Sequence, residues 1–419
     1  MAQTLKFGNG NFATKAGSTL CYDDQNGNFK PIPMDFTRAS TATRVNKQGL
    51  IEVVKSNVPR IDYTDTTNGV LLLEKAATNR MIQSENLSTG WTNISVSVET
   101  NSIISPDGTL NADKITQTNA TSDRIQQQTL TTSSDVTISC FVKSTGVETR
   151  FRLGSATSSH IKITSNADGT MYIYEYVADN YFIENYGNGW YRVGFTFSAS
   201  SSLYCQLYPD VRGLGGSIYV WGSQFEVNPY PTSYIPTTTT TVTRSAETAS
   251  GAGNSEVFND SQGVLFANIA ANADDLTQRA LGISDGTHSN RMSIVYNDGS
   301  SNALRMFVSN PSGTKSYITN SFNITQNNKI SIKLNGTSLS FWVNGFEIHT
   351  DTLSSAFVNG TLDTFDFAFF GNNTPFYGKT KEIGYYDTIL TDLELETLTS
   401  YKSWTSMVNE LNLNIIYNG

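Results

Sequence analysis

The side chains best suited to binding chemistry stand together between residues 179 and 191. Tyr181, Tyr186 and Trp190 occur there with Asn185 and several other amide and acidic residues. Aromatic rings can stack on the apolar C–H faces of sugars, and amides and carboxylates hydrogen-bond sugar hydroxyls. We therefore expect a carbohydrate-binding loop formed by Tyr181, Asn185, Tyr186 and Trp190. The same spacing fits a core role, in which Trp190 opens a buried strand and the tyrosines cover sheet edges.

Motifs for catalysis or metal binding are missing from the sequence. Its three histidines, His160, His288 and His349, stand in no recognisable catalytic or metal-binding pattern, and there is no Gly-x-Ser-x-Gly or phosphate-binding loop. Asp285 and Asp298 each precede a glycine, which is typical of turns. We expect no catalytic residue, no metal and no cofactor, and hence no enzyme. Glycoside hydrolysis needs only two carboxylates, so a glycan depolymerase stays open as an alternative.

Composition limits the partners of the chain. Its 419 residues carry a net charge of −9 with a pI near 4.9, whereas binding to nucleic acid or to an anionic membrane requires a basic surface. Cys21, Cys140 and Cys205 are odd in number and lack metal spacing, so we expect free thiols, buried in the case of Cys140 and Cys205. No run of 18 apolar residues occurs, and no signal peptide is recognisable. We expect the protein to fold in a cytoplasm without export.

Short strand patterns dominate the sequence. Alternating apolar and polar residues recur between positions 91 and 230 and again between 261 and 404, with turn pairs such as Asp168-Gly169 and Asn335-Gly336 between them. This pattern predicts an all-β protein with two antiparallel β-sandwich (jelly-roll) domains in tandem. Thr391 and Glu394 form a capping-box pattern that predicts a short helix near the end.

The predicted domain organisation has five parts. Residues 1–90 are broken by glycines and prolines and cannot bury a core alone, so we expect an irregular or β docking region that packs on a partner. The complete division is 1–90 docking region, 91–230 first sandwich, 231–260 linker, 261–404 second sandwich and 405–419 C-terminal tail.

Four segments carry distinctive motifs: residues 36–43 (FTRASTAT), 58–60 (VPR), 71–79 (LLLEKAATN) and 219–247, which contains WGSQFE, SYIPTT and VTR. These segments resemble fibre- or adhesin-type structural proteins of tailed bacteriophage virions. In those phage proteins, the segment that resembles residues 219–247 closes a jelly roll of the carbohydrate-binding-module type. Residues 369–372 (FFGN) and 378–387, before the predicted helix, resemble a laminin-G or concanavalin-like domain.

The resemblance implies a function and a location. It implies a homotrimer on the exterior of a phage head or tail, assembled in the host cytoplasm, joined to a capsid or tail protein through residues 1–90, and bound to bacterial surface polysaccharide. The alternative is a purely structural head fibre or decoration protein whose sandwiches act as spacers. Neither the glycan nor the choice between head and tail follows from the sequence.

Overall fold

The computed structural model describes residues 3–119, 123–132, 134–146, 150–155, 159–166, 168–199, 202–211, 215–371, 373–411 and 413. Nearly all regular structure in these residues is antiparallel β-strand. Two short α-helices lie near the C-terminus, α1 (Asp392–Thr399) and α2 (Trp404–Glu410). Among the described residues, none of the helices has the length and apolar character needed to span a membrane.

The strands are numbered in chain order. The first group is β1 (Leu5–Gly8), β2 (Thr14–Lys15), β3 (Ser18–Asp23), β4 (Lys30–Thr37), β5 (Ala42–Val45), β6 (Ile51–Val54), β7 (Arg60–Asp62), β8 (Val70–Leu73) and β9 (Ala77–Asn79). The second group is β10 (Thr92–Ile94), β11 (Val96–Ile104), β12 (Leu110–Gln117), β13 (Arg124–Thr131), β14 (Asp135–Ser144), β15 (Arg150–Gly154), β16 (His160–Ser165), β17 (Met171–Val177), β18 (Asn180–Asn185), β19 (Trp190–Ser198), β20 (Ser202–Tyr208) and β21 (Ser217–Glu226). The third group is β22 (Val242–Arg244), β23 (Thr248–Ser250), β24 (Gln262–Ala271), β25 (Arg279–Ser284), β26 (Arg291–Tyr296), β27 (Leu304–Asn310), β28 (Gly313–Thr319), β29 (Asn328–Asn335), β30 (Ser338–Val343), β31 (Phe346–Thr352), β32 (Thr364–Asp366) and β33 (Gly378–Tyr386).

The chain divides into two compact units, each discontinuous in sequence. Unit 1 contains Met1–Ala39, Lys55–Lys75 and Ala246–Gly419, and unit 2 contains Ser40–Val54 and Ala76–Ser245. The chain therefore passes from one unit to the other four times.

Unit 1 is a sandwich of a twelve-stranded and a five-stranded antiparallel sheet. The larger sheet has the order β23-β4-β3-β1-β33-β24-β29-β30-β31, with β2, β7 and β8 paired beside this path, and the smaller has the order β28-β27-β26-β25-β32. Alternate residues of each strand point inward, so Leu265 and Ile332 of the large sheet share one buried cluster with Met292 and Met306 of the small sheet.

Unit 2 is a second sandwich, made of two six-stranded antiparallel sheets. Their orders are β10-β13-β20-β15-β16-β17 and β11-β12-β21-β14-β19-β18, and two small two-stranded sheets, β22-β9 and β5-β6, accompany them. Its core joins Ile163 and Leu207 of the first sheet to Ile138 and Phe195 of the second. The predicted all-β fold with two antiparallel sandwiches is confirmed.

The predicted domain boundaries need correction. Residues 1–39 and 55–75 belong to unit 1, and residues 40–54 and 76–90 belong to unit 2, so residues 1–90 are not a separate region. The physical reason is long-range pairing: β1 runs antiparallel to β33, and its Leu5 and Phe7 are fully buried in the core of unit 1. Likewise, residues 231–260 are not a linker, because residues 231–245 belong to unit 2 and 246–260 to unit 1. The docking role of the N-terminal residues stays a prediction.

Local predictions at the C-terminal end are largely confirmed. Thr391 caps α1, with its hydroxyl accepting the Glu394 N–H and the Glu394 carboxylate accepting the Thr391 N–H. The predicted tail begins with α2, and residues 412 and 414–419 of it lie outside the described residues. The three cysteines are free and buried, as the sequence predicts for Cys140 and Cys205.

A buried ionic network lies in unit 1. The Glu247 carboxylate accepts hydrogen bonds from Arg38 Nη1 (2.7 Å), from Arg60 Nε (2.8 Å) and from the Glu74 backbone N–H (2.9 Å). Arg60 also pairs with the Glu74 carboxylate at 2.8 Å, and Arg38 Nη2 donates to the Lys55 carbonyl at 2.6 Å. Both guanidinium groups and the Glu247 side chain are fully buried.

Arg38, Lys55, Glu74 and Glu247 each stand within two residues of a point at which the chain passes between units, and Arg60 pairs with both Glu74 and Glu247. Burial alone would lower the pKa of Arg60, but the charges of Glu247 and Glu74 outweigh it and raise that pKa. Arg60 therefore keeps its charge, and the network holds together three separate segments of unit 1.

Candidate functional site

Trp190, the predicted centre of the aromatic loop, is a core residue of unit 2. Its side chain is 2% exposed and packs in a cluster with Phe141 and Trp221, and its Nε1–H donates to the Ile104 carbonyl at 3.1 Å. A sugar ring cannot reach a face of this indole. The prediction that Trp190 forms part of an exposed binding loop is therefore wrong, because the ring fills an internal space between neighbouring aromatic side chains.

Tyr186 and Asn185 also serve the local structure. The Tyr186 ring packs edge-on against Phe141, with 4.9 Å between ring centroids and 90° between planes. The Asn185 side-chain oxygen accepts the Gly187 backbone N–H at 2.8 Å, which closes the turn between β18 and β19. Both residues thus stabilise the hairpin that positions Trp190 in the core.

Tyr181 lies on the other face of β18. It pairs in the ladder with Phe195, a core residue, and its ring lies 4.2 Å from that of Tyr176 with 41° between planes. Tyr181 and Tyr176 are 41% and 51% exposed, so they form an open aromatic pair at the edge of the sandwich. The structure therefore brings Tyr186 and Trp190 together around Phe141 and separates Tyr181 from them.

A second aromatic site, which the sequence does not predict, lies on the five-stranded sheet of unit 1. Strand alternation creates it: Met292 of β26 and Met306 of β27 point into the core, so Arg291, Arg305 and Phe307 lie on the outer face. We name it the arginine-aromatic cavity; its volume is about 310 Å³. It is lined by Gln278, His288, Arg291, Asp298, Arg305, Phe307, Phe369 and Thr374, among others.

Arg291 has an unusual environment in this cavity. Its side chain is 2% exposed, with the guanidinium carbon 4.4 Å from the Phe369 ring centroid and 5.6 Å from that of Phe307. Its Nε and Nη1 are buried and make no hydrogen bond in the described part of the chain. Burial, and then the charge of Arg305, lower the pKa of Arg291. A buried cation that has aromatic neighbours but no anion retains much of its desolvation cost.

The other buried arginines of unit 1 show the contrast. Arg38 and Arg60 pair with Glu247, and Arg279 pairs with Asp275 at 2.5 Å. Each of these three guanidinium groups is fully buried and has a carboxylate partner. Arg291 is buried to a similar extent without one.

The remaining charges of the cavity are paired. Arg305 Nη1 lies 2.7 Å from the Asp298 carboxylate, which also accepts the Gln278 side-chain N–H. Two guanidinium groups therefore face one carboxylate, which leaves one positive charge in excess within an acidic chain. The cavity can attract an anionic group and place it beside aromatic rings.

Two further features shape the rim of the cavity. His288 is exposed, with its ring edge-on to Phe370 at 5.7 Å and Phe369 at 6.1 Å. Thr374 has a φ of 53°, in the left-handed region that β-branched residues rarely adopt. Such strain at a cavity wall is a common property of binding sites. Among the described residues, no cluster of three or more His, Cys, Asp or Glu side chains is placed to hold a metal.

Comparisons with known proteins give only weak similarities. No protein-family model matches the sequence, and no curated protein matches it. Among solved structures, the CBM40 module of the Ruminococcus gnavus IT-sialidase is 17% identical, with 36% of this chain and 94% of that chain covered and a TM-score of 0.30. Domain 4 of AbnA, a GH43 extracellular arabinanase from Geobacillus stearothermophilus, is 15% identical, with coverages of 41% and 84% and a TM-score of 0.30.

The mouse laminin α1 chain domains LG4-5 are 9% identical, with 73% of this chain and 91% of that chain covered and a TM-score of 0.25. At these TM-scores the similarities carry no weight for function.

Proposed function

We propose that this protein is a bacteriophage fibre or adhesin that binds bacterial surface glycans. The arginine-aromatic cavity is the observation that carries the glycan-binding part. It combines aromatic walls, Phe307 and Phe369, with hydrogen-bonding groups such as Gln278 and Arg305. Its volume lies at the lower end of the range of small-molecule sites, which runs from about 300 to 1,000 Å³.

The glycan-binding role is tested by an array experiment with the full chain. The array should identify at least one bacterial polysaccharide or oligosaccharide as a ligand. Phe369→Ala should then weaken its binding at least tenfold, because the substitution removes an aromatic wall that is only partly buried. Phe346→Ala is the matched control, since Phe346 is 72% exposed on β31 of the same unit. Equal loss in both variants, or an array without any ligand, would remove the proposal.

The virion location is a separate part of the proposal. The motifs shared with phage fibres support it, and they also support a homotrimer on the exterior of a head or tail. Three copies of a weak site would raise the apparent affinity through effective concentration. Electron microscopy of particles labelled with an antibody against this chain tests the location, and light scattering tests the trimer. A stable monomer of the intact protein would contradict the trimer.

A spacer role is the second candidate, and one observation favours it for unit 2. Trp190 is buried in that unit and the partly buried Tyr186 packs against Phe141, so these two rings do not form an open binding surface. We therefore place glycan binding in unit 1 and give unit 2 a structural role. The protein is proposed to bind without catalysis. Release of new reducing ends from the bound glycan would instead indicate the depolymerase alternative.

A further inference from the structure

The unpaired guanidinium of Arg291 restricts the kind of ligand that the cavity can hold. The protein supplies two aromatic rings to this cation and, among the described residues, no anion. A neutral sugar would leave the charge of Arg291 without a counter-ion in a desolvated site, whereas an anionic group would pair with it. The three other buried arginines of unit 1 each form an ion pair with a carboxylate of the protein.

The neighbouring charges favour the same conclusion. Arg305 is held by Asp298, so that pair is nearly neutral and leaves Arg291 as the cation in excess. The overall charge of −9 would repel a polyanion from most of the surface. A single acidic group on an otherwise polar ligand is therefore more compatible with this site than a densely charged polymer.

We propose that the arginine-aromatic cavity recognises an acidic sugar through its carboxylate, which pairs with Arg291 while the sugar ring contacts the Phe369 side of the cavity. This inference rests on the proposed glycan-binding function and adds the chemical class of the ligand. A carboxylate is planar and offers two oxygens, which match the fork of N–H groups on a guanidinium.

Matched monosaccharides test the charge requirement. Binding of methyl glucuronide and of methyl glucoside to the full chain is measured by ligand-observed NMR and by calorimetry. The two sugars differ by one carboxylate, so the glucuronide should bind at least tenfold more tightly, and added sodium chloride should weaken it. A glucose sulfate ester is the third probe. Tighter binding of the sulfate ester than of the glucuronide would overturn the choice of carboxylate.

Two variants test the role of Arg291 itself. Arg291→Met should remove the preference for the glucuronide, and Arg291→Lys should reduce it, because lysine keeps the charge without the fork. The melting temperature of ligand-free Arg291→Met should equal or exceed that of the wild type, since a buried unpaired cation is removed. A structural arginine would behave differently: marked loss of stability in this variant, or an unchanged sugar preference, would overturn the inference.

The outcomes separate this inference from the proposed function. If glycans bind in a Phe369-dependent manner but the glucuronide and glucoside bind equally, glycan binding stands and the carboxylate inference is wrong. If no glycan and neither monosaccharide binds, both are wrong.

Discussion

Glu247 is the residue whose substitution tests the buried network most directly. It accepts hydrogen bonds from Arg38, Arg60 and the Glu74 backbone inside unit 1, and its side chain is fully buried. Glu247→Gln keeps the shape but removes the charge, so two buried guanidinium groups lose the carboxylate that they share. One oxygen also becomes an NH₂ group that faces N–H donors.

The expected magnitude follows from these contacts. Removing one partner of a buried ion pair costs about 3–5 kcal/mol, because the remaining charge stays buried without compensation. For a unit of this size, each kcal/mol lowers the melting temperature by about 2–4 °C, so Glu247→Gln should lower it by roughly 6–20 °C. This loss is a large part of the roughly 5–15 kcal/mol by which a domain is stable.

Calorimetry and urea unfolding of the full chain measure this effect. Glu256→Gln is the matched control, because it makes the same chemical change at an exposed position of unit 1 and should change stability by less than about 0.5 kcal/mol. A Glu247→Gln variant within about 1 kcal/mol of the wild type would refute the reasoning, since it would mean that the network contributes little net stability.

Three further predictions concern stability. Deleting residues 1–35 should unfold unit 1 and lower solubility, because it removes β1 and β3 from the large sheet; a soluble truncated protein with native circular dichroism would contradict this. Trp190→Ala should cost about 3–5 kcal/mol in urea unfolding, whereas Tyr181→Ala should cost about 1 kcal/mol or less, and similar losses would contradict the assignment of Trp190 to the core. Burial raises the pKa of Glu226, against opposing hydrogen bonds from Thr232, so the ionised carboxylate destabilises the folded state at neutral pH and the penalty fades as pH falls toward the unfolded value. As the pH rises from 4.5 to 7, the stability of Glu226→Gln should therefore increase relative to that of the wild type. A stability difference that does not change with pH would exclude the raised pKa.

Local sequence signals predicted much of the β structure. Asn335-Gly336 and Asn344-Gly345 correctly mark turns on either side of β30, where Gly336, Asn344 and Gly345 have positive φ. The signals are local because each turn requires particular residue types at fixed positions. Pairing of β1 with β33 has no such signal, since it joins residues almost 380 positions apart. The division of the chain into two discontinuous units was therefore not predictable from local patterns.

Tyr181 and Tyr186 of the predicted binding loop do not share a face, for a reason that the sequence contains. Tyr181 and Tyr186 are five positions apart, and residues an odd number apart in a continuous strand face opposite sides of the sheet. β18 runs through most of this interval, so the two rings point to different faces. In a loop, which the sequence predicts for this segment, the spacing of side chains does not fix their direction. Only the tertiary structure shows that Trp190 packs in a cluster with Phe141 and Trp221.

The residues of the arginine-aromatic cavity carry almost no signal in the sequence. Arg291 stands at the start of an ordinary alternating strand, and its significance lies in the lack of a partner, which only the packed structure reveals. His288 stands in a polar loop where the sequence offers it no obvious partner. Phe369 stands out in the sequence only as part of the motif at residues 369–372.

The motifs that resemble phage fibres have a structural explanation in this chain. Residues 36–43, 58–60, 71–79 and 219–247 contain Arg38, Arg60, Glu74 and Glu247, which are the charged side chains of the buried network. Arg38, Glu74 and Glu247 stand where the chain passes between its two units, and Arg60 pairs with Glu74 and Glu247, so these motifs specify the scaffold rather than a ligand. Most of the residues that line the arginine-aromatic cavity lie outside these segments and outside residues 369–372. A protein that shares the motifs can therefore share the two-unit architecture and still differ in the arginine-aromatic cavity, and under the proposed function the residue at position 291 is where we expect the choice of ligand to be decided.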